Sequence, residues 1–316
     1  MISVNGLTYE IIKEIQAKPD YYRVEISKLP SGSTVIDAGI EAPGGYDAGL
    51  LTTEIAMGGA GKAQLGFADY DGLLLPTVIV STDLTGISLF GAQLAGWRVK
   101  AGDYQADGSG PARALALRPK NVFEKIKYKD EADVAVILLE TEEKPPDEAA
   151  LYIADRCNVK PEDVYIVLTS TTSMSGMIQI SGRVVEVGFF RLDLLGFDLT
   201  KVKYSSGYAP IMPLHPDMGR AMGRAEDAIT YGGVVNYVVD EDEEVVKDII
   251  NKSSSLAAPD YGRPSYDIYK SVDFDFTKID PAIFAPAVVT ITCSRTGGSF
   301  TAGEINYGLI HSSVKD

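Results

Sequence analysis

The stretch TSTTSMSGMIQISGRVVEVGFFRLDLLGFD, residues 169–198, directly follows a short, continuously apolar run, VYIVL at residues 164–168. A run of that length and character predicts a strand buried on both faces. The small hydroxyl and glycine residues at 169–176 predict a loop after it. The apolar segment beyond predicts a helix closed by Gly196, which suits the left-handed position just past a last helical turn. Arg183 and Glu186 lie inside this segment, and their i,i+3 spacing puts both side chains on one helix face. Ser181 and Gly182 beside them are weak helix formers that leave room for a flat ligand against the backbone. An Arg–Glu pair at this spacing reads as a surface salt bridge of small energetic consequence. Its neighbours Met177, Ile178, Ile180, Val184, Val185, Val187, Phe189 and Phe190 point the other way, because a segment apolar nearly all round is a buried one. Buried charges need partners and often mark sites. Spacing alone leaves both readings standing.

Composition bounds what such a site can be. A chain of 316 residues has room for about two domains, and 45% apolar residues support a real core. Lys and Arg number 29 against 44 Asp and Glu, a net charge of −15. That balance argues against a nucleic-acid partner, which needs basic surface, and favours a solvated acidic surface or a cationic ligand. Cys157 and Cys293 are far apart, so neither a disulfide framework nor a zinc motif is expected. His215 and His311 are equally isolated, whereas zinc and most transition-metal sites need clustered ligands. No motif supports a carboxylate magnesium site, and neither histidine has a nucleophile-elbow sequence to serve. No metal is expected. The absence of a signal peptide and of any apolar run of transmembrane length predicts a soluble cytoplasmic chain without a membrane partner.

Working outward, residues 3–17 predict an amphipathic helix from Leu7, Ile11, Ile12 and Ile15, stopped at Pro19. Residues 22–29 and 34–40 predict a hairpin around Pro30-Ser31-Gly32-Ser33. A helix is expected between Gly44-Gly45 and Gly58-Gly59. The Gly61-Lys62-Ala63 triplet is not a nucleotide-binding P-loop, because Ala56 replaces the first glycine of the motif and Ala63 its hydroxyl. Residues 64–69 and 73–80 predict a second hairpin across Asp71-Gly72. Residues 86–97 read as a helix ending near Trp97. Gly108-Ser109-Gly110 resembles the start of a dinucleotide fingerprint, but Arg113 occupies the third glycine position and no strong apolar strand precedes it. Residues 103–119 therefore read as a flexible loop with Pro111 near a first helical turn, its backbone N–H groups suited to an anion or a polar ring edge. Residues 132–140 predict a buried strand ending at Glu140, and 147–157 a helix. Residues 204–213 read as a Gly/Pro-punctuated loop, 217–230 as a helix, 233–239 as a strand and 240–244 as an acidic helix start. A loop at 257–264, a short helix at 265–271, an extended connector at 280–286 and a final hairpin of 288–293 with 299–306 complete the chain.

Hairpins interspersed with helices do not make a doubly wound parallel sheet. The expected fold is α+β, mixed α/β layers in two domains with a substrate cleft between them, and neither a Rossmann nor a P-loop fold. Without repeats or low-complexity linkers, boundaries within 1–316 are weakly marked; candidate breaks lie near 85–100 and 196–213.

Five stretches, in order and spanning nearly the whole chain, together resemble one family. They are APGGYDAGLLTTEIAMGG (42–59), GSGPARALALRPK (108–120), MIQISGRVVEV (177–187), DYGRPSYDIYK (260–270) and KIDPAIFAPA (278–287). The family is that of the methenyltetrahydromethanopterin cyclohydrolases. The resemblance implies interconversion of a methenyl-tetrahydropterin cation and water with the formyl-tetrahydropterin and a proton. That is a one-carbon step of methanogenic archaea, their relatives and some methylotrophic bacteria. It also implies a homotrimer of two-domain α/β chains with no cofactor beyond the tetrahydropterin substrate.

The chemistry is consistent with these residues. The substrate carbon lies between two nitrogens and is already electrophilic, so the enzyme has to place a water and accept a proton. On the resemblance Glu186 is that base, kept ionised by the nearby cation, and Arg183 holds Glu186 or the incipient formyl oxygen. Ser109 with Gly110, Arg113, Ser173, Gln179 and Glu54 are candidates for the pterin ring and its acidic tail. Each of three has a plainer reading: Arg113 as a helix-surface charge, Ser173 as a helix N-cap, Glu54 as a structural charge in a helix. Two other functions compete, a non-catalytic pterin-binding protein of the same fold and a hydrolase acting on a different cyclic amidine.

Overall fold

A computed structural model of the chain describes residues 2–315. The strands, in chain order, are β1 (Glu25–Lys28), β2 (Thr34–Asp37), β3 (Lys62–Asp69), β4 (Leu74–Thr82), β5 (Trp97–Ala101), β6 (Tyr104–Ser109), β7 (Ala135–Glu140), β8 (Val164–Thr169), β9 (Val202–Pro210), β10 (Val234–Val239), β11 (Val288–Cys293) and β12 (Ser299–Gly303). The α-helices are α1 (Val4–Ala17), α2 (Pro19–Tyr22), α3 (Tyr46–Ala56), α4 (Ala112–Ala116), α5 (Lys120–Ile126), α6 (Asp147–Cys157), α7 (Met174–Ser181), α8 (Val184–Leu194), α9 (Met218–Gly232), α10 (Glu243–Ile250), α11 (Ser265–Ser271) and α12 (Tyr307–Lys315). The chain forms two units, each built around one sheet. The first takes the chain up to Lys62 with Gly86–Gln179, and the second takes Ala63–Thr85 with the chain from Ile180 onward. This is the α+β architecture that the interspersed hairpins and helices predict.

In the first unit the strand order is β1-β2-β8-β7-β6-β5. β2, β8 and β7 run parallel, and hairpins close both edges. β7 and β8 are joined through α6, a crossover long enough for parallel neighbours. Successive side chains point to opposite faces. Val35, Ile137, Leu139, Ile166 and Leu168 therefore pack with Ala150 and Ile153 of α6. Their neighbours Ile36, Val136, Leu138 and Val167 pack with Ile12 and Ile15 of α1 and Ala48 and Ile55 of α3. Covering by helices on both faces is why residues 135–139 and 164–168 read as unbroken apolar runs. Each fully buried Val, Leu or Ile contributes about 1.5–3 kcal/mol.

In the second unit the order is β12-β11-β10-β9-β4-β3, antiparallel except for β10 beside β11. β10 buries Val235, Tyr237 and Val239, and β11 buries Val289, Ile291 and Cys293, at alternate positions. α9 is capped by Asp217, whose carboxylate accepts the Arg220 N–H at 2.9 Å.

Several expectations need correcting. Residues 177–195 are not one helix: α7 stops at Ser181 and α8 starts at Val184, with Gly182 and Arg183 turning between them. The segment from Gly86 is a π-helix that ends at Gln93, and Trp97 opens a strand instead of closing a helix. The expected loop at 103–119 contains β6, whose inward side chains Tyr104 and Ala106 are followed by Gly108. The expected loop at 204–213 is mostly β9, which pairs with strands on both sides. Gly207 belongs there because an added Cβ would lie 2.6 Å from the Val234 carbonyl oxygen, and Pro210 closes the strand. The connector at 280–286 holds a 3-10 turn at Pro281–Ile283. Helices α5 and α12 follow no signal read from the sequence.

Candidate active site

In an open sheet, ligands gather beyond the carboxyl ends of parallel strands. In the first unit these ends are Asp37, Glu140 and Thr169. Asp37, 1% exposed, accepts backbone N–H groups from Gly39, Ile40, Glu41 and Ala42 at 3.0, 2.7, 2.9 and 3.2 Å. The loop after β2 is thereby locked around one carboxylate. It packs on the loop after β8 so closely that a Cβ on Gly39 would run into the Ser173 hydroxyl. Ser173 donates to the Ser170 carbonyl at 2.7 Å and accepts the Gly176 N–H at 3.0 Å, so its hydroxyl shapes the entry to α7. Glu140 accepts the Thr171 hydroxyl on one oxygen and faces the Gln179 amide at 3.5 Å on the other. The fold thus brings Gln179 and the 170–173 loop around Glu140, a residue that the sequence marked only as the end of a strand.

Ser109 ends β6 opposite Leu138 and is 2% exposed. Gly110 turns the chain there with φ +94° and donates to the Ala92 carbonyl at 2.8 Å. Arg113 is fully buried. Its guanidinium donates to the carbonyls of Arg118 at 2.9 Å, Phe90 at 2.8 Å and Ala92 at 3.2 Å, which ties the π-helical segment to the turn after α4. It is not a helix-surface charge. Glu54 of α3, 8% exposed, meets the exposed Lys62 ammonium at 2.8 Å.

Arg183 and Glu186 belong to the second unit, and both are buried, at 8% and 5% exposure. Arg183 is the N-cap residue of α8, and its N–H bonds the Ile180 carbonyl at 2.9 Å across the turn. Glu186 lies in the first turn of α8, where the helix dipole favours a carboxylate. Glu226 of α9 and Tyr237 of β10 feel its charge. Burial pushes the Glu226 carboxyl up to about 7; the Thr230 hydroxyl at 3.2 Å opposes this, and the charges of Asp227 and Glu186 add to it. Burial, then the charge of Glu186, holds the Tyr237 phenol well above its usual range. Its hydroxyl donates to the Val185 carbonyl at 2.6 Å, which fixes the first turn of α8 from the sheet side. Glu226 and Tyr237 were missed because each reads as an ordinary member of its helix or strand.

The histidines stay apart from these groups: His215 accepts the Asp217 N–H at 2.9 Å, and His311 lies 2.7 Å from the Tyr70 carbonyl. Among the described residues, Glu25, Asp37 and Glu41 bring carboxylates together. Lys144 meets that group, 2.5 Å from Glu41 and 3.6 Å from Glu25. Among the described residues no helix is long and apolar enough to cross a membrane.

A buried carboxylate and guanidinium at the start of one helix can activate and orient a water. Comparison with known proteins gives the chain a family. The model of the family described as Cyclohydrolase (MCH) matches residues 3–314. The chain is 43% identical to the methenyltetrahydromethanopterin cyclohydrolase of Methanothermobacter marburgensis over 99% of both chains. It is 42% identical to that of Methanocaldococcus jannaschii over 99% of this chain and 98% of the other. For that of Methanocella arvoryzae the identity is 43%, over 97% and 96%. With a family match over nearly every residue and relatives this similar end to end, the chain belongs to the methenyltetrahydromethanopterin cyclohydrolase family.

Proposed function

We propose that this protein is a methenyltetrahydromethanopterin cyclohydrolase, a hydrolase that opens a cyclic amidinium. Water adds to the methenyl carbon of the pterin cation, one carbon–nitrogen bond breaks, and the formyl-tetrahydropterin and a proton leave. The observation that carries the reading is similarity to cyclohydrolases along the full chain, with Arg183 and Glu186 buried together at the head of α8. In this reading Glu186 accepts the proton of the attacking water, and Arg183 orients it and stabilises charge on the developing formyl oxygen. Ser109, Gly110, Ser173, Gln179 and Glu54 contribute to pterin binding, and Arg113 acts by holding the backbone around Gly110. The reaction calls on no cofactor beyond the pterin, because the delocalised cation supplies its own electrophile.

The cell compartment is read as the cytoplasm, where Cys157 and Cys293, both buried and unpaired with each other, stay as thiols. The assembly is read as a homotrimer. The edge strand β3 exposes Leu65 and Phe67, at 40% and 68%, and an apolar edge of this kind is what a neighbouring subunit covers. The test of function is the ultraviolet absorbance of methenyl-tetrahydromethanopterin with purified protein. Enzyme-dependent loss supports the reading. Saturable binding without loss favours a non-catalytic pterin-binding protein.

A further inference from the structure

One of the family-like stretches, residues 260–270, takes no part in the reaction above, yet part of it walls a cavity wholly within the second unit. The cavity holds about 280 Å³, and its walls include Arg220, Arg224 and Asp227 of α9 with Tyr266, Asp267 and Lys270 of α11. Residues 220, 224 and 227 share one face of α9 by their i, i+4, i+7 spacing. Gly223 lets the two helices approach, since a Cβ there would lie 2.7 Å from that of Tyr266. The Arg220 guanidinium stands 4.8 Å from the centroid of the Tyr266 ring, and the Lys270 ammonium 6.0 Å from the same ring. One aromatic ring thus holds two cations that otherwise repel each other. Arg224, 8% exposed, donates to the carbonyls of Pro213 and Leu214 at 2.9 and 3.2 Å, which fixes its guanidinium in the wall.

Two carboxylates offset these three cations in part. Asp227 is 2% exposed and accepts the Ser265 N–H at 2.8 Å, while Asp267 is exposed on the rim. Among the described residues of the lining, cations still outnumber carboxylates. In a chain of net charge −15 that is a local reversal of sign, in a concave place where a field is focused.

We propose that this cavity is an oxyanion site in which Arg220 and Lys270, backed by Arg224, take a phosphate group, either free or carried on a larger molecule. The guanidinium forks suit phosphate oxygens, and the Tyr266 ring keeps two of the cations spaced to meet different oxygens of one group. The inference goes beyond the cyclohydrolase reading and stands without it.

Isothermal titration of the full chain with inorganic phosphate, at constant ionic strength against chloride, tests it. The expected result is one saturable site per chain. Its affinity falls several-fold in Lys270→Gln and at least tenfold in the double variant Arg220→Gln/Lys270→Gln. Both side chains reach solvent, and an unchanged melting midpoint in phosphate-free buffer checks that the fold is kept. Wild-type protein without saturable binding overturns the proposal, as does a folded double variant that binds phosphate like wild type. A second arm separates the two sources once binding is seen. Phosphate that competes with the pterin in turnover assigns the site to an acidic group on that substrate, and phosphate that binds without competing assigns it to a separate ligand. Absence of turnover would sink the proposed reaction and leave the titration result intact.

Discussion

At the scale of single residues, Glu186 is embedded among groups that resist ionisation. Burial pushes Glu226 up to about 7 and Asp227 to about 6, with neighbouring negative charge adding to both. In the unfolded chain both ionise in the ordinary carboxylate range. Between about pH 4 and pH 7 these two groups therefore hold more protons in the native state than in the unfolded state, and their contribution to stability falls as pH rises through that window, then levels. Urea unfolding of wild type and Glu226→Gln from pH 4.5 to 8 should show a downward slope in wild type that is shallower in the variant. Parallel curves would remove Glu226 from the set of shifted groups. The burial of Arg183 and Glu186 was legible because two charges inside a run of Val, Ile and Phe stand out, whereas the roles proposed for them rest on the family resemblance. Glu226 was not, because α9 carries Arg220, Arg224, Glu226 and Asp227 in close succession, and such a series reads as a solvated face. Only the packing of α9 on α11, α12 and β9 reveals that some of these charges are turned inward.

At the scale of elements, burial on two faces made β7 and β8 readable, and regular periodicity made α6 and α9 readable. β9 was hidden by residues that serve it: Gly207 leaves room for the neighbouring backbone, and Pro210 ends the strand. β6 was hidden because its inward positions are filled by small residues after Tyr104. The break between α7 and α8 was foreshadowed by Ser181-Gly182, and its effect is to start a new helix at the proposed base, so that Glu186 lies in a first turn and not in mid-helix. The start of α7 depends on Gly176, where a Cβ would run into the Ser170 carbonyl oxygen. Gly176→Ala should cost about 1–3 kcal/mol, the usual range for overpacking, and should raise the KM for pterin if the 170–173 loop binds it. A variant with wild-type unfolding and KM would show that the loop yields freely.

At the scale of the whole molecule, mixed α/β layers followed from the alternation of hairpins and helices, whereas the passages of the chain between units after Lys62 and Gln179 have no compositional mark. Both fall inside regular elements, β3 and α7, where linker-like sequence cannot occur. The acidic surface bears on assembly, since repulsion among subunits of net charge −15 is screened by salt. Light scattering should give about three times the 33.9 kDa chain mass, more completely at higher salt; a monomer at every salt concentration would contradict the trimer. The most direct test of the account is the time course of methenyl-tetrahydromethanopterin absorbance with wild type beside Glu186→Gln. General-base catalysis is worth about 10²–10⁴-fold, so the account predicts rapid loss with wild type and a rate lower by that factor in the variant, with substrate binding kept. Equal rates in the two proteins would contradict it.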